Sequence, residues 1–123
     1  MLKKRILIID DEQGIVTVMK FNLETLGKYE VCTETKTEHV LERAHEFKPD
    51  LILMDLVMPG IPGDVLVHFI EEDPILKSAP IVFLSGMMTH DQALSDPRVG
   101  NHPYLEKPVD IDRLLECIER YAA

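Results

Sequence analysis

The sequence predicts an α/β fold that is built on a parallel sheet. Three apolar runs without polar alternation are typical of strands that are buried on both faces; they are Ile6–Ile9, Leu51–Met54 and Ile81–Leu84. Stretches in which apolar residues recur at helical spacing lie between and after these runs. Because strands and helices alternate, we expect right-handed crossovers and a doubly wound sheet with helices on both faces.

The elements of the first half follow from apolar spacing and from chain-breaking residues. The first strand precedes a helical stripe that ends at Gly27, a residue type that favours helix termination; the stripe consists of Ile15, Met19, Leu23 and Leu26. Tyr29–Thr33 is a weaker strand candidate. A second helical stripe ends before Pro49 and consists of Val40, Leu41, Ala44 and Phe47.

The second half repeats this alternation with one irregular stretch. A third stripe, made of Val65, Leu66, Phe69 and Ile70, ends before Pro74. Residues 89–95 predict a short fourth helix, which an irregular loop follows because prolines and a glycine interrupt residues 97–103. Tyr104–Glu106 is the second weak strand candidate. The last helix begins after Asp110, a plausible N-cap, and its stripe consists of Ile111, Leu114, Leu115, Ile118 and Tyr121.

These elements predict one domain, residues 1–123, because a chain of 123 residues fits a single domain. Its strand order is expected to be 2-1-3-4-5, a common order for five strands of this kind. The predicted architecture is a flavodoxin-like three-layer sandwich with five helices, the fourth short or irregular. In this order, ligands bind outside the carboxyl ends of the strands, where the chain reverses between strands 1 and 3.

The composition argues against several classes of function. The chain has 13 Lys and Arg against 22 Asp and Glu, a formal net charge of −9, which disfavours direct nucleic-acid binding. Its apolar runs are much shorter than the ~20 residues of a membrane helix or the core of a secretion signal. Cys32 and Cys117 lack C-x-x-C spacing and are expected to be reduced, buried thiols. We therefore expect a cytoplasmic protein without membrane contact.

Acidic residues follow two of the predicted strands. Asp10, Asp11 and Glu12 come after strand 1, and Asp55 comes after strand 3. If these carboxylates meet at one edge of the sheet, they repel one another unless a cation intervenes, and Mg²⁺ prefers such oxygen ligands. The alternative is that the first three acids only complement the dipole of the following helix.

A hydroxyl and an ammonium group are expected at the same edge. Ser85 ends strand 4 and Lys107 follows strand 5. Taken separately, they are equally well explained as a loop serine and a solvated lysine. Together with the acids, they form a set that suits Mg²⁺ and a phosphoryl group, whose transfer depends mainly on positioning and charge neutralisation.

Four motifs at these strand ends resemble the receiver domain of two-component response regulators. They are I-L-I-I-D-D-E at 6–12, L-I-L-M-D-L-V-M-P-G at 51–60 with Gly63 behind it, F-L-S-G at 83–86 and Y-L-E-K-P at 104–108. The resemblance covers essentially the whole chain. It implies a phosphoacceptor module that is not an enzyme in the ordinary sense, although it assists its own phosphorylation and dephosphorylation.

The resemblance also implies a phosphoacceptor and a metal site. Asp55 is expected to accept the phosphoryl group from a sensor histidine kinase, from a phosphotransfer protein or from a small phosphodonor. Asp10, Asp11, Asp55 and the backbone carbonyl of Val57 are expected to bind Mg²⁺. A downstream protein partner or a fused output domain is expected to read the result.

Three further residues are expected to carry the switch. By resemblance, Ser85 is the hydroxyl that moves toward the phosphoryl oxygen, and Lys107 is the lysine that pairs with it. Tyr104 is the aromatic residue that rotates inward when Ser85 moves. The family also often holds the bond between Lys107 and Pro108 in the cis form.

The chain departs from the family pattern beside the site. Val57 and Met87 are apolar at positions where polar side chains can orient water, so we expect slow hydrolysis of the acyl phosphate. Residues 96–103 replace the usual Gly-Ala segment before strand 5, which puts the dimerisation surface on that side in doubt.

Two other functions compete with this interpretation. A Mg²⁺-dependent aspartyl-phosphate phosphohydrolase would use the same acids, but the chain has neither a cap nor a second acid adjacent to Asp55. A phosphorylation-independent interaction domain would not need all of the polar residues that are present.

Overall fold

The computed structural model describes residues 2–86, 100 and 102–122. Within them, five strands form one sheet in the order β2-β1-β3-β4-β5, which confirms the predicted order. All of its neighbouring strands pair in parallel. The strands are β1 (Lys4–Ile9), β2 (Tyr29–Glu34), β3 (Leu51–Asp55), β4 (Ile81–Ser85) and β5 (Tyr104–Glu106).

The described part of the chain contains four α-helices and one 3-10 turn. The helices are α1 (Gln13–Thr25), α2 (Val40–Phe47), α3 (Gly63–Glu72) and α4 (Ile111–Tyr121), and the 3-10 turn is Thr37–His39. The predicted short helix at 89–95 lies outside the described residues, so the expected count of five helices is not confirmed. None of the helices in the described segments combines the length and hydropathy that crossing a membrane requires.

The sheet separates two apolar cores, because successive side chains of a strand point to opposite faces. Ile6 and Ile8 of β1 belong to the core beneath α1 and α4. Leu7 and Ile9 belong to the core beneath α2 and α3. The run Ile6–Ile9 is therefore apolar throughout because both faces of β1 are covered, as the sequence predicted.

Two predicted helix ends are confirmed by their local geometry. The Asp110 carboxylate accepts a hydrogen bond from the backbone N–H of Asp112 at 2.8 Å, which caps α4. Gly27 follows α1 with a φ of +79°, a conformation that residues with a side chain rarely adopt. The α2 helix ends at Phe47, before Pro49 as predicted, and Lys48 closes it in a left-handed conformation.

The predicted apolar stripe of α3 is confirmed for Leu66 and Ile70 and wrong for Val65 and Phe69. Leu66, Val67 and Ile70 are buried, whereas Phe69 is 48% exposed and Val65 is also exposed. Three consecutive apolar residues at 65–67 allow two helical phases, and packing against the sheet selects the phase with Val67 inside. Burial, and not spacing alone, therefore decides which face of α3 is covered.

The carboxyl ends of four neighbouring strands lie at one edge of the sheet. Ile9 of β1 is paired with Met54 of β3. Ser85, the last residue of β4, is paired with Glu106 of β5. This register brings the residues that follow β1, β3 and β5 to the same edge as Ser85.

Candidate functional site

Three carboxylates meet at this edge, as the sequence predicted. One oxygen from each of Asp10, Asp11 and Asp55 lies within 4.8 Å of the others. Asp10 is fully buried, Asp55 is 7% exposed and Asp11 is exposed. Asp10 and Asp55 are each fixed by a backbone N–H: that of Glu12 donates to Asp10 Oδ1 at 3.0 Å, and that of Val57 donates to Asp55 Oδ1 at 3.3 Å.

The Lys107 ammonium lies among these acids. Its Nζ atom is 2.6 Å from Asp10 Oδ2 and 3.2 Å from Asp55 Oδ2, and its side chain is only 11% exposed. A third, longer contact of 3.8 Å reaches the exposed carboxylate of Glu12. Lys107 is therefore a charge partner of the acidic group, and the interpretation as a freely solvated lysine is wrong.

The charges in this crevice shift the pKa values of two groups. Burial raises the pKa of Asp55, and the neighbouring Asp10 carboxylate raises it further, while Lys107 opposes this. For Lys107, burial alone lowers the pKa, but the hydrogen bond to Asp10 and the charge of Asp55 outweigh burial and raise it. The lysine thus remains protonated at neutral pH and partly balances the acids.

Ser85 brings a buried hydroxyl to the same crevice. The residue is 4% exposed, and its Oγ has no hydrogen-bond partner among the described residues. A buried hydroxyl costs about 1–3 kcal/mol unless a protein group, a water molecule or a ligand accepts its hydrogen bond. The cleft at this edge has a volume of about 670 Å³, and its lining includes Asp11, Glu12, Asp55, Val57, Ser85 and Lys107.

The donor set fits a hard divalent cation. All of the acidic ligand atoms are oxygens, which is what Mg²⁺ requires. The Asp10 and Asp55 side chains are oriented by backbone N–H groups, and Asp11 opens to the cleft. A cation at this point would offset the repulsion between the buried carboxylates of Asp10 and Asp55.

Of the residues predicted for the switch, Ser85 and Lys107 line this cleft, and Tyr104 lies at the other end of β5 from Lys107. Tyr104 is half-buried at the start of β5, where it pairs with Phe83 and packs against the core beneath α2 and α3. The bond between Lys107 and Pro108 is cis, as the resemblance implied. Met87 lies outside the described residues, while the Val57 side chain is 65% exposed at the mouth of the cleft.

Two buried polar residues near the site were not singled out from the sequence. Glu34 ends β2, and its carboxylate accepts hydrogen bonds from the backbone N–H groups of Thr35 and Lys36. Thr37 is 2% exposed and reaches across to the loop between β3 and α3. The sequence does not mark Thr37, because its partners Pro59 and Ile61 lie more than 20 positions away.

The sheet order defines a doubly wound α/β domain. Its topological switch point carries an acidic crevice whose carboxylates could hold a cation. Residues 6–119 match the family model of the response regulator receiver domain, and the chain belongs to this family. Receiver domains are signalling modules of two-component systems, act as phosphoacceptors and typically bind Mg²⁺.

Curated relatives support the same assignment. The alkaline phosphatase synthesis transcriptional regulatory protein PhoP of Bacillus subtilis is 32% identical over 107 residues, which cover 87% of this chain and 43% of PhoP. The polar-differentiation response regulator DivK of Brucella anthropi is 25% identical over 120 residues, which cover 98% of this chain and 97% of DivK. The chain spans 17% to 43% of the length of three curated relatives that it matches.

A solved structure agrees with the fold. The chemotaxis protein CheY4 of Vibrio cholerae superimposes with a TM-score of 0.83 at 26% sequence identity. The superposition covers 97% of this chain and 98% of CheY4.

Proposed function

We propose that Asp55 is the phosphoacceptor of this receiver domain. It takes a phosphoryl group from a sensor histidine kinase or a phosphotransfer protein and thereby changes binding to a downstream partner or output domain. One observation carries the proposal: the Asp55 carboxylate, the Lys107 ammonium and the Ser85 hydroxyl, which has no hydrogen-bond partner in the described segments, line one cleft. This is an arrangement of nucleophile, positive charge and donor.

The phosphotransfer step requires the Asp55 carboxylate to act as the nucleophile. An oxygen of the ionised carboxylate forms the new bond to phosphorus while the P–N bond of a phosphohistidine breaks, and the electron pair of that bond returns to the imidazole. Burial raises the pKa of Asp55. Lys107 opposes this rise, and its charge favours the ionised carboxylate that the step needs. The backbone N–H of Val57 holds Oδ1 and orients the carboxylate.

Four groups are proposed to hold Mg²⁺: the carboxylates of Asp10, Asp11 and Asp55 and the backbone carbonyl of Val57. When it is bound, Mg²⁺ supplies charge neutralisation on the phosphoryl oxygens. The chain itself supplies the orientation, because backbone N–H groups fix one oxygen each of Asp10 and Asp55.

Lys107 and Ser85 are proposed to respond to the new charge. Phosphorylation adds about −1.5 to −2 charge and strong acceptor oxygens. Lys107 then exchanges part of its contact with Asp10 for a phosphoryl oxygen, and the Ser85 hydroxyl gains the acceptor that it lacks. Since these residues lie at the ends of β4 and β5, the exchange favours one of two arrangements of that edge, and Tyr104 on β5 transmits it.

The same groups are proposed to assist the chain's own phosphotransfer and dephosphorylation. Positioning and charge neutralisation are the main contributions that a protein makes to phosphoryl transfer. Small phosphodonors should therefore also label the chain, without a kinase.

Intact mass spectrometry after incubation with acetyl phosphate tests the proposal. We expect a gain of one phosphoryl group that requires Mg²⁺ and is lost in Asp55→Ala. Asp64→Ala is the matched control, since Asp64 is an exposed aspartate in the first turn of α3. Absence of labelling with both acetyl phosphate and a phosphorylated histidine donor would instead favour a phosphorylation-independent interaction module.

A further inference from the structure

We infer that Thr37 is a positioning residue for the proposed metal site. It begins the 3-10 turn after β2, which contributes none of the proposed ligands, yet its side chain contacts the loop between β3 and α3. That loop carries Val57, whose carbonyl is the proposed fourth ligand. The inference rests on the proposed function and extends it to a residue outside the crevice.

The contact is made by one buried hydroxyl. Thr37 Oγ1 accepts a hydrogen bond from the backbone N–H of Ile61 at 2.8 Å. Its single proton faces the Pro59 carbonyl at 3.3 Å and the Glu38 carboxylate at 3.4 Å. The hydroxyl therefore holds the β3–α3 loop on both sides of Gly60.

Gly60 is shaped to receive this hydroxyl. Its φ is +99°, and a Cβ atom placed on it would stand 2.2 Å from Thr37 Oγ1. Any side chain at position 60 would thus displace the hydroxyl or move the loop. The absence of a side chain here is a requirement of the contact as well as of the backbone conformation.

The Thr37 loop is itself tied to the other half of the site. The Glu34 backbone carbonyl accepts from the N–H of Asp10 at 3.1 Å. The Glu34 carboxylate is buried and accepts from Thr35 N and Lys36 N at 3.0 and 3.1 Å. The segment 34–37 therefore links Asp10, through the Glu34 carbonyl, to the loop that carries Val57, through the Thr37 hydroxyl.

Loss of this hydroxyl should weaken the proposed metal site more than it alters the chemistry. In Thr37→Val the shape is retained, but the Ile61 N–H loses its acceptor, so the loop is free to shift. Loss of a partner that hydrogen-bonds a ligand directly typically costs about 10–100-fold in metal affinity, and because Thr37 acts through the loop we expect the low end of this range. Thr37→Ser keeps the hydroxyl and loses only a methyl group, which makes it the conservative control.

Two measurements on the full chain test the inference. Mg²⁺ binding to the unphosphorylated protein is measured by titration calorimetry, and the rate of labelling by acetyl phosphate is measured as a function of Mg²⁺ concentration. We expect Thr37→Val to raise the half-saturating Mg²⁺ concentration about 10-fold in both measurements. The labelling rate at saturating Mg²⁺ should remain close to that of the wild type, and Thr37→Ser should resemble the wild type throughout.

A second variant approaches the same contact from the other side. Gly60→Ala keeps the Thr37 hydroxyl but places a Cβ where it sits, so the same shift in Mg²⁺ dependence is expected even if Thr37→Val does not fold. Gly27→Ala is its control, since Gly27 also has a positive φ, but a Cβ there meets nothing within 4 Å.

The outcomes separate this inference from the proposed function. Wild-type Mg²⁺ dependence in a folded Thr37→Val or Gly60→Ala protein would overturn the inference alone. An equal shift in Thr37→Val and Thr37→Ser would also overturn it, because packing rather than the hydroxyl would then be responsible. A wild-type chain that neither binds Mg²⁺ nor takes a phosphoryl group would overturn the proposed function, and the inference with it.

Discussion

Replacing Ser85 with alanine should stabilise the unphosphorylated protein. The Ser85 side chain is 4% exposed, and its Oγ has no hydrogen-bond partner among the described residues. Leaving a buried hydroxyl unsatisfied costs about 1–3 kcal/mol. Ser85→Ala removes that cost and leaves a gap of only one oxygen atom, so we expect a net gain of about 1 kcal/mol at the low end of this range.

Urea unfolding without Mg²⁺ or phosphodonor measures this gain. Because the chain has no tryptophan, far-UV circular dichroism is the suitable signal. A gain of about 1 kcal/mol should also raise the Tm by roughly 3–5 °C for a domain of this size. Ser78→Ala is the control, since Ser78 is exposed and its replacement should change stability by less than about 0.5 kcal/mol.

The same variant should respond less to phosphorylation. The wild-type hydroxyl is proposed to donate to the phosphoryl group, so labelling by acetyl phosphate should stabilise the wild type more than Ser85→Ala. A Ser85→Ala protein that is less stable than the wild type would refute the reasoning. It would mean that Oγ already has a hydrogen-bond partner, for example water in the cleft.

Three further predictions concern other groups of the site and the core. In Mg²⁺-free buffer, urea titrations should show that Asp55→Asn stabilises the protein more at pH 7 than at pH 3. Burial and Asp10 raise the pKa of Asp55, so the wild type loses stability as pH rises through that pKa, whereas the variant does not. Equal effects at both pH values would contradict this. Burial raises the pKa of Cys117 to about 11, so iodoacetamide at pH 7.5 should label this thiol only after denaturation, as measured by mass spectrometry. Rapid labelling of the folded protein would contradict this. Val57→Asn should speed loss of the phosphoryl group about fivefold, because one added hydrogen bond to the attacking water is worth ~1 kcal/mol. Mass spectrometry measures the decay of the phosphorylated protein, and an unchanged decay would contradict the expectation that the apolar Val57 slows hydrolysis.

The features that could be predicted from the sequence are those that the parallel sheet determines. The buried runs in β1, β3 and β4 are continuous in sequence, and their burial on both faces implies a parallel sheet with helices on each side. Once the strand order is given, Asp10, Asp55, Ser85 and Lys107 must lie at one edge, because each follows or ends a strand. The crevice was predictable because topology alone assembles it.

The remaining features depend on contacts that have no local pattern. The hydrogen bond from Ile61 to Thr37 joins residues 24 positions apart, one in the β3–α3 loop and one in the 3-10 turn. The phase of α3 is another case, since Val65 and Val67 are equally apolar and only packing selects Val67. Spacing identifies an element, but it does not identify which loop touches which.

The contacts at this edge are the ones that the proposed phosphorylation would change. Lys107 makes a short contact with Asp10, and the Ser85 hydroxyl has no hydrogen-bond partner within the described part of the chain. A ligand shifts an equilibrium between two arrangements only by its difference in affinity for them. The proposed phosphoryl group has that difference, because it satisfies Ser85 and attracts Lys107 at the same time. Since both residues lie at neighbouring strand ends, the proposed charge on Asp55 would act on β4 and β5 together.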